Sequence, residues 1–226
     1  MPEPEQAVSI RPENSIPLRD AWDRLLRPFG GDRDAADRVF RELAAAYSAP
    51  GRYYHTLTHI QHVLDTIEFL KREADDPGAL ELAAWFHDAV YDPRAKDNEE
   101  RSADYAEQVL RGLGLPGQTI AVTRHLILQT KTHQPAGNDR DSRVFLDADL
   151  AILGAPADRY EDYARAIRQE YAWVPEEQYR SGRRQVLRNF LQRPRLYQTA
   201  PMFEAFEEEA RRNLAGEVER LSGRDG

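Results

Sequence analysis

Cysteine is absent from this chain of 226 residues. Its absence excludes a disulfide framework, a thiolate metal site and a cysteine nucleophile. If the protein binds a metal ion, the ligands must therefore be imidazoles, carboxylates and other nitrogen or oxygen donors.

Positive charge is in deficit. The chain has 31 Lys and Arg residues against 39 Asp and Glu residues, which gives a formal net charge of -8 at pH 7. This balance argues against an extended, non-specific nucleic-acid surface, although it is compatible with a local basic pocket.

Long apolar runs are also missing. No stretch of 18 consecutive apolar residues occurs, so we expect no membrane-spanning segment and no membrane association. Residues 1–15 are polar and acidic, without the apolar segment of a signal peptide, which predicts a cytoplasmic location. The length allows one sizeable hydrophobic core.

Strand signals are equally scarce, because no segment shows a convincing period-2 alternation. Apolar residues instead recur with helical spacing, and the segments between them contain Pro or Gly. We predict an all-α protein with a flexible N-terminal tail (1–16) and a single compact domain (17–222). The predicted helices are 17–28, 32–48, 57–74, 78–91, 98–114, 117–132, 144–153, 157–173, 176–192 and 201–221.

Three of the six histidines lie close together in the segment YYHTLTHIQHVLDTIEFL (53–70). His55, His59 and His62 have the spacing i, i+4 and i+7, which places them along one side of a helix. Such a row is explained either by a solvated helix end or by a ligand that requires nitrogen donors.

Two apolar segments contain unexpected carboxylates. His87 and Asp88 interrupt LELAAWFHDAVYDP (80–93), where a buried His–Asp hydrogen bond is the simpler explanation and a shared ion the alternative. Asp147 and Asp149 interrupt RVFLDADLAILG (143–154). A helix N-cap explains Asp147 but leaves Asp149 unexplained.

Three predicted helices thus carry imidazole or carboxylate groups. Without sulfur, this donor set suits Mn, Mg, Fe, Co, Ni or Zn, with five or six ligands more typical than a closed tetrahedral site. Open positions hold water, which a divalent ion acidifies into a nucleophile. The combination favours a hydrolase.

The order His, His-Asp, Asp on an all-helical chain resembles the HD superfamily of metal-dependent phosphohydrolases. Residues 18–220 look close to a small bacterial subgroup of predicted HD phosphohydrolases through GRYYHTLTHIQHVL, FHDAVYDP followed by DNEERSA, and FLDADLAILG. The resemblance implies an HD-domain helical bundle and one divalent ion by default, or two. The implied ligands are His59, His87, Asp88 and Asp149, the last selected over Asp147 by its Ala-Asp-Leu context.

The spacing Tyr-His-x-x-x-His at 54–59 is similar to that of cyclic-nucleotide phosphodiesterases, which share the HD core. By this resemblance His59 is a metal ligand and His55 is the proton donor to the leaving group. In a hydrolytic mechanism we expect Asp88 or Asp149 to orient the attacking water, and His62 to lie beside the site or in the core. The sequence departs from those enzymes at Thr56, where they have Asn.

A phosphorylated substrate, such as a nucleotide or another small phosphate ester, also requires cations. Of four basic residues near these motifs (Arg52, Lys96, Lys131 and Arg143), we expect Arg52 and Lys131 to bind phosphate. His133 is predicted to bind substrate or a second metal ion, and His125 to be a packing residue. Glu99 and Glu100 either reach metal-bound water or only begin a helix.

Three functions remain open. The preferred one is a phosphomonoesterase or phosphodiesterase with a metal-activated water. An HD-type di-iron oxygenase would use His125 or His133 as additional ligands, and a non-catalytic ligand-binding protein would retain the pocket without turnover. The sequence does not indicate an oligomeric state.

Overall fold

The computed structural model describes residues 15–135 and 137–223, and this part of the chain is all-α, as predicted. No strand occurs within these residues. The helices are α1 (Leu18–Leu26), α2 (Arg33–Tyr47), α3 (Leu57–Leu70), α4 (Pro77–Phe86), α5 (Asn98–Gly112), α6 (Gly117–Gln129), α7 (Arg140–Asp149), α8 (Ala157–Glu170), α9 (Glu176–Leu191) and α10 (Ala200–Ser222). Short 3₁₀ turns follow α1 (Arg27–Phe29) and α7 (Leu150–Gly154).

Helix α4 is surrounded by other helices, because it packs against α1, α3, α5, α6 and α7. Its sequence, PGALELAAWF, is apolar on nearly every face, as expected for a helix surrounded by others. The Trp85 ring meets Trp22 of α1 edge-on, with ring centroids 5.3 Å apart. Because α4 is central, a polar side chain at its C-terminal end is placed deep inside the protein.

The predicted helix over 78–91 is too long, since α4 ends at Phe86 and His87 occupies the C-cap position. Asp88 therefore lies in a turn rather than on the helix. The backbone groups of Val90 both bond to Ser102 Oγ of α5, at 3.1 Å each. This hydrogen bonding to a distant side chain replaces the helical hydrogen bonds, so the chain leaves the helix early.

Asp147 is not an N-cap of its own helix, which contradicts the simpler explanation for this residue. Its helix, α7, begins at Arg140, with Asp139 as the N-cap. Asp147 is buried and accepts hydrogen bonds from the backbone N–H groups of Gln198 and Thr199 and from Thr199 Oγ1. It therefore satisfies donors at the start of α10 rather than those of α7.

Helices α3, α4 and α7 pack against one another. This arrangement confirms the expected contact between the histidine helix and the His87 segment, and it adds Asp149 at the end of α7. Most of the predicted tail (1–16) lies outside the described residues. None of the described helices combines the length and apolarity needed to cross a bilayer.

Candidate metal centre and active site

His59 lies in the first turn of α3 and is almost completely buried. Its helix places Ile60, Val63 and Ile67 in the core, so the same packing that orders α3 also directs the His59 imidazole inward. The His59 ring lies 4.9 Å from the Tyr54 ring, centroid to centroid.

His87 is fixed by its own helix end. Nδ1 lies 3.0 Å from the carbonyl oxygen of Ala84, which is one of the carbonyls left without a helical partner. An N–H on Nδ1 donates to this carbonyl and leaves the lone pair on Nε2. A backbone hydrogen bond of this kind typically orients a metal-ligating histidine.

His59, His87 and Asp149 form a group that could hold a metal ion. His59 Nε2 lies 3.1 Å from His87 Nε2, and Asp149 Oδ1 lies 3.3 Å and 3.5 Å from these two atoms. Donors about 2.1 Å from one ion and 90° apart are about 3.0 Å from each other. The three separations therefore match neighbouring ligands of a single divalent ion.

Asp88 is next to this group but is not one of the three residues whose donor atoms all lie within 4.8 Å of one another. Its Oδ2 lies 3.2 Å from His87 Nε2 and 3.7 Å from His55 Nε2. The four predicted ligands thus converge, but only three place donor atoms within 4.8 Å of one another. Asp88 thus lies on the His55 side of the group formed by His59, His87 and Asp149.

The electrostatics of the group favour a cation. Burial lowers the pKa of His59, so its imidazole is neutral and its nitrogen can be a ligand. Burial alone would raise the pKa of Asp149, but hydrogen bonds from His133, His59 and His87 lower it well below the usual range. Burial would lower the pKa of His87, but the Asp88 and Asp149 carboxylates raise it well above its usual range, so a divalent cation would take the place of the His87 proton between these two carboxylates.

His55 has a clear partner that the sequence did not reveal. Its Nδ1 donates to Glu170 Oε2 at 2.6 Å, and Tyr91 Oη donates to the same oxygen at 2.8 Å. Burial would lower the pKa of His55, but the carboxylates of Asp88 and Glu170 outweigh it and raise the pKa. His55 thus presents Nε2 toward Asp88 and the metal group.

Glu170 also organises the backbone of the loop that carries His55. Its Oε1 accepts hydrogen bonds from the N–H groups of Tyr53, Tyr54 and His55, at 2.8 to 3.0 Å. Burial would raise the pKa of Glu170, but the bonds to His55 lower it to about 2. Glu170 is 115 residues from His55, at the end of α8, and no local motif distinguishes it.

His133 reaches the metal group through Asp149. Its Nε2 lies 2.9 Å from Asp149 Oδ2, the carboxylate oxygen that does not face His59. The residue has a φ of 47°, which is uncommon for a side chain other than glycine. Arg193 holds this conformation by donating to the carbonyl oxygens of His133 and Thr132.

The two cations predicted to bind phosphate have other contacts. Arg52 donates to the carbonyl oxygens of His55 and Ala89, and its guanidinium lies near the rings of Tyr47 and Tyr91. It therefore joins the His55 loop to the His87 turn. Lys131 forms an ion pair with Glu100 and donates to the Lys96 carbonyl. Neither contact set supports phosphate binding.

The remaining candidates lie apart from the metal group. His125 Nε2 is 2.9 Å from Asp139 Oδ2 and its side chain is partly exposed, so His125 supports the start of α7 rather than the core. Glu99 and Glu100 are in the first turn of α5. Arg143 donates to Asn138 and to the Gly137 carbonyl.

A cavity of about 530 Å³ adjoins the metal group, which contributes His59 and Asp149 to its wall. His62, Arg159 and Asp162 form its polar side. Its apolar side consists of residues from the end of α7, the following turn and α10, among them Ala151, Ile152 and Phe206. The volume is in the range of small-molecule sites.

Comparison with known proteins found no matching family model, curated protein or solved structure. The resemblance to the HD superfamily therefore rests on the sequence motifs.

Proposed function

We propose that this protein is an HD-type, metal-dependent phosphoric ester hydrolase that acts on a small phosphate ester. The observation that carries the proposal is that a group of possible metal ligands lies next to a hydrogen-bonded His–Glu pair. The His59, His87 and Asp149 donors form a group suited to a divalent ion, and the His55–Glu170 pair lies on its Asp88 side. These are the parts that hydrolysis by an activated water requires.

The donor set fits a divalent cation bound by His59, His87, Asp149 and Asp88. A bound ion would supply an acidified water as the nucleophile at neutral pH. Asp88 Oδ2, which lies 3.2 Å from His87 Nε2 and 3.7 Å from His55 Nε2, would accept a hydrogen bond from this water. His133 holds Asp149 in position through its second carboxylate oxygen.

His55 is the proposed proton donor to the leaving group. The Glu170 carboxylate on Nδ1 favours the protonated imidazole and directs the second N–H, on Nε2, toward the metal group. Protonation of the departing alkoxide by such a group typically contributes about 10²–10⁴ in rate. The metal group does not distinguish one phosphate ester from another. The adjoining cavity would select the substrate, including whether it is a nucleotide.

Metal analysis combined with a panel of phosphate esters tests this proposal. Purified protein should contain or take up a stoichiometric divalent ion and hydrolyse at least one ester, and EDTA should abolish the activity. His59→Ala and Asp149→Ala should lose both metal and activity, whereas the control His125→Ala should retain both. Two irons with oxygen uptake would favour an oxygenase instead, and metal binding without turnover would favour a ligand-binding protein.

The role of His55 predicts a dependence on the leaving group. His55→Ala should retain bound metal but lose activity on an alkyl phosphate by about 10²-fold or more. The loss on a p-nitrophenyl ester should be much smaller, because p-nitrophenolate departs without protonation. Steady-state kinetics on both esters measure the difference. Equal losses would show that His55 is not the acid and would make His133 the next candidate.

A further inference from the structure

We propose that Arg193 is a positioning residue for the metal group, because it holds His133 in the backbone conformation from which the His133 imidazole fixes Asp149. The Arg193 guanidinium donates to the carbonyl oxygens of His133 and Thr132 and not to a proposed ligand, so its effect on an ion passes through His133. This role deepens the proposed function, since it concerns how tightly the same group holds a divalent ion, and it rests on that proposal.

His133 has a backbone conformation that usually belongs to glycine. Its φ is 47°, and within residues 15–135 and 137–223 it is the only residue other than glycine with a positive φ. Its N–H donates to the Gln129 carbonyl at 3.0 Å and so closes the last turn after α6. Chain ends of helices that finish in this conformation prefer glycine, because a Cβ strains it. A strained residue of this kind calls for a reason in its side chain.

The imidazole of His133 supplies that reason. His133 Nε2 lies 2.9 Å from Asp149 Oδ2, whereas the other oxygen of this carboxylate, Oδ1, lies 3.3 Å from His59 Nε2. The bond to Oδ2 fixes the rotation of the carboxylate, so that Oδ1 stays beside the imidazole donors. Removing a hydrogen-bond partner of this kind from a metal ligand typically weakens metal binding about 10–100-fold.

The segment at the end of α9 supports both the backbone and the ring of His133. Arg193 donates through Nη1 to the His133 carbonyl at 2.6 Å and through Nη2 to the Thr132 carbonyl at 3.0 Å. The Phe190 ring meets the His133 ring edge-on, with centroids 6.2 Å apart, and Arg193 Cζ lies 4.4 Å from the Phe190 centroid. Without Arg193, a change of His133 to negative φ would relieve the strain and move the imidazole away from Asp149.

Titration of Mn²⁺ into metal-free protein, measured by calorimetry, tests this role without turnover. Arg193→Gln should raise the Kd for Mn²⁺ about tenfold, and Arg193→Lys, which can keep one of the two contacts, should raise it less. The control Arg168→Gln removes an arginine with matching contacts, since Arg168 donates to the Tyr171 and Val174 carbonyl oxygens after α8 and lies over the Tyr179 ring. Both Gln variants should lose thermal stability, but only Arg193→Gln should lose affinity for Mn²⁺.

Two substitutions of His133 separate the strained backbone from the imidazole. His133→Gly and His133→Ala both remove the bond to Asp149, so each should raise the Kd for Mn²⁺ about 10–100-fold. Glycine adopts a positive φ without strain and alanine does not, so His133→Gly should have the higher melting temperature. Kd values that follow the melting temperatures of the two variants would mean that affinity reflects stability alone and would overturn the proposed role.

A double variant tests whether Arg193 acts through His133. Arg193→Gln combined with His133→Gly should bind Mn²⁺ with the Kd of His133→Gly alone, because the imidazole that Arg193 positions is already absent. A further loss of about tenfold would show that Arg193 acts independently of His133 and would refute the proposal. Loss of a second Mn²⁺ in His133→Gly, with the first bound as before, would also refute it, since His133 would then be a ligand.

The outcomes separate the role of Arg193 from the hydrolase proposal. If Arg193→Gln binds Mn²⁺ as the Arg168→Gln control does, or if the unaltered protein binds none, Arg193 has no such role even where ester hydrolysis is found. If the Kd for Mn²⁺ depends on Arg193 and His133 but no ester is hydrolysed, the role of Arg193 stands and the hydrolase proposal fails. Circular dichroism confirms that each variant is folded.

Discussion

At the scale of single residues, the most informative contact is the hydrogen bond between His55 and Glu170. Glu170 is only 4% exposed and accepts five hydrogen bonds, three from the backbone of one loop. It therefore fixes both the position and the charge state of His55. The same side chain couples the fold of the loop to the proposed proton transfer.

Glu170→Gln should separate these two roles. The amide oxygen can still accept the three backbone N–H bonds, but the amide nitrogen cannot accept from His55 Nδ1. We expect metal content and secondary structure to be retained and kcat on an alkyl phosphate to fall about 10²-fold. The control Glu161→Gln, on the exposed face of the same helix, should have unchanged kcat.

The pH profile distinguishes this positioning role from a purely structural one. Glu170 is one of the groups that raise the pKa of His55, so its neutralisation should lower that pKa. The loss of activity at high pH, where His55 deprotonates, should then begin at a lower pH in Glu170→Gln. An unchanged profile with reduced kcat would refute the proposed effect on His55.

Glu170 also predicts sensitivity of the fold to acid. Its pKa is about 2 in the folded protein against an ordinary value of 4.5, so its stabilisation is complete above about pH 4.5 and is lost as pH falls toward 2. The shift corresponds to a contribution on the order of 3 kcal/mol. Urea unfolding at neutral pH and at about pH 3 should show a smaller loss for Glu170→Gln than for the unaltered protein.

Residue identities at the metal group could be predicted because short motifs carry them. Tyr-His-x-x-x-His, His-Asp and Ala-Asp each mark a local pattern, and the structure brings His55, His59, His87 and Asp149 together. Glu170 and Arg193 could not be predicted, since an isolated charge near the end of a helix resembles any solvated residue. Only tertiary packing shows that Glu170 contacts His55 and that Arg193 contacts His133.

At the scale of helices, apolar periodicity predicted the all-α class, whereas helix ends were less predictable. The end of α4 depends on Ser102, and the start of α10 is capped by Asp147, which is 52 residues from Thr199. Such partners are invisible in a local window, because capping by a side chain of another helix leaves no sequence pattern near the end.

Two glycines give a matched test of helix packing. A Cβ on Gly154, in the turn after α7, would lie 2.7 Å from Phe206 Cβ and 2.9 Å from Tyr197 Oη. Gly154→Ala should therefore destabilise the fold by about 1–3 kcal/mol through overpacking. Gly182, inside α9, has no atom within 4 Å of an added Cβ, so Gly182→Ala should stabilise by about 0.5–1 kcal/mol. Equal unfolding midpoints for the two variants would contradict this packing.

At the scale of the whole molecule, the packing of α3, α4 and α7 collects two carboxylates and two imidazoles in a largely buried space. Grouping carboxylates this closely in a protein of net charge -8 is unfavourable unless a cation compensates them. If a divalent ion binds this group, the fold should be more stable with the ion than without it, independently of any catalysis.

The melting temperature should consequently rise with metal concentration. An ion that binds only the folded state at 100 times its Kd adds about 2.7 kcal/mol, and each further tenfold increase adds about 1.4 kcal/mol. For a protein of this size, the first amount corresponds to a rise of roughly 5–11 °C. Calorimetric melts in EDTA and in a series of Mn²⁺ concentrations measure it. The rise should disappear in His59→Ala, which removes one nitrogen ligand, and persist in His125→Ala, whose imidazole bonds Asp139 instead. A melting temperature that is independent of every divalent ion tested would show that the His59, His87 and Asp149 group is held together without a metal.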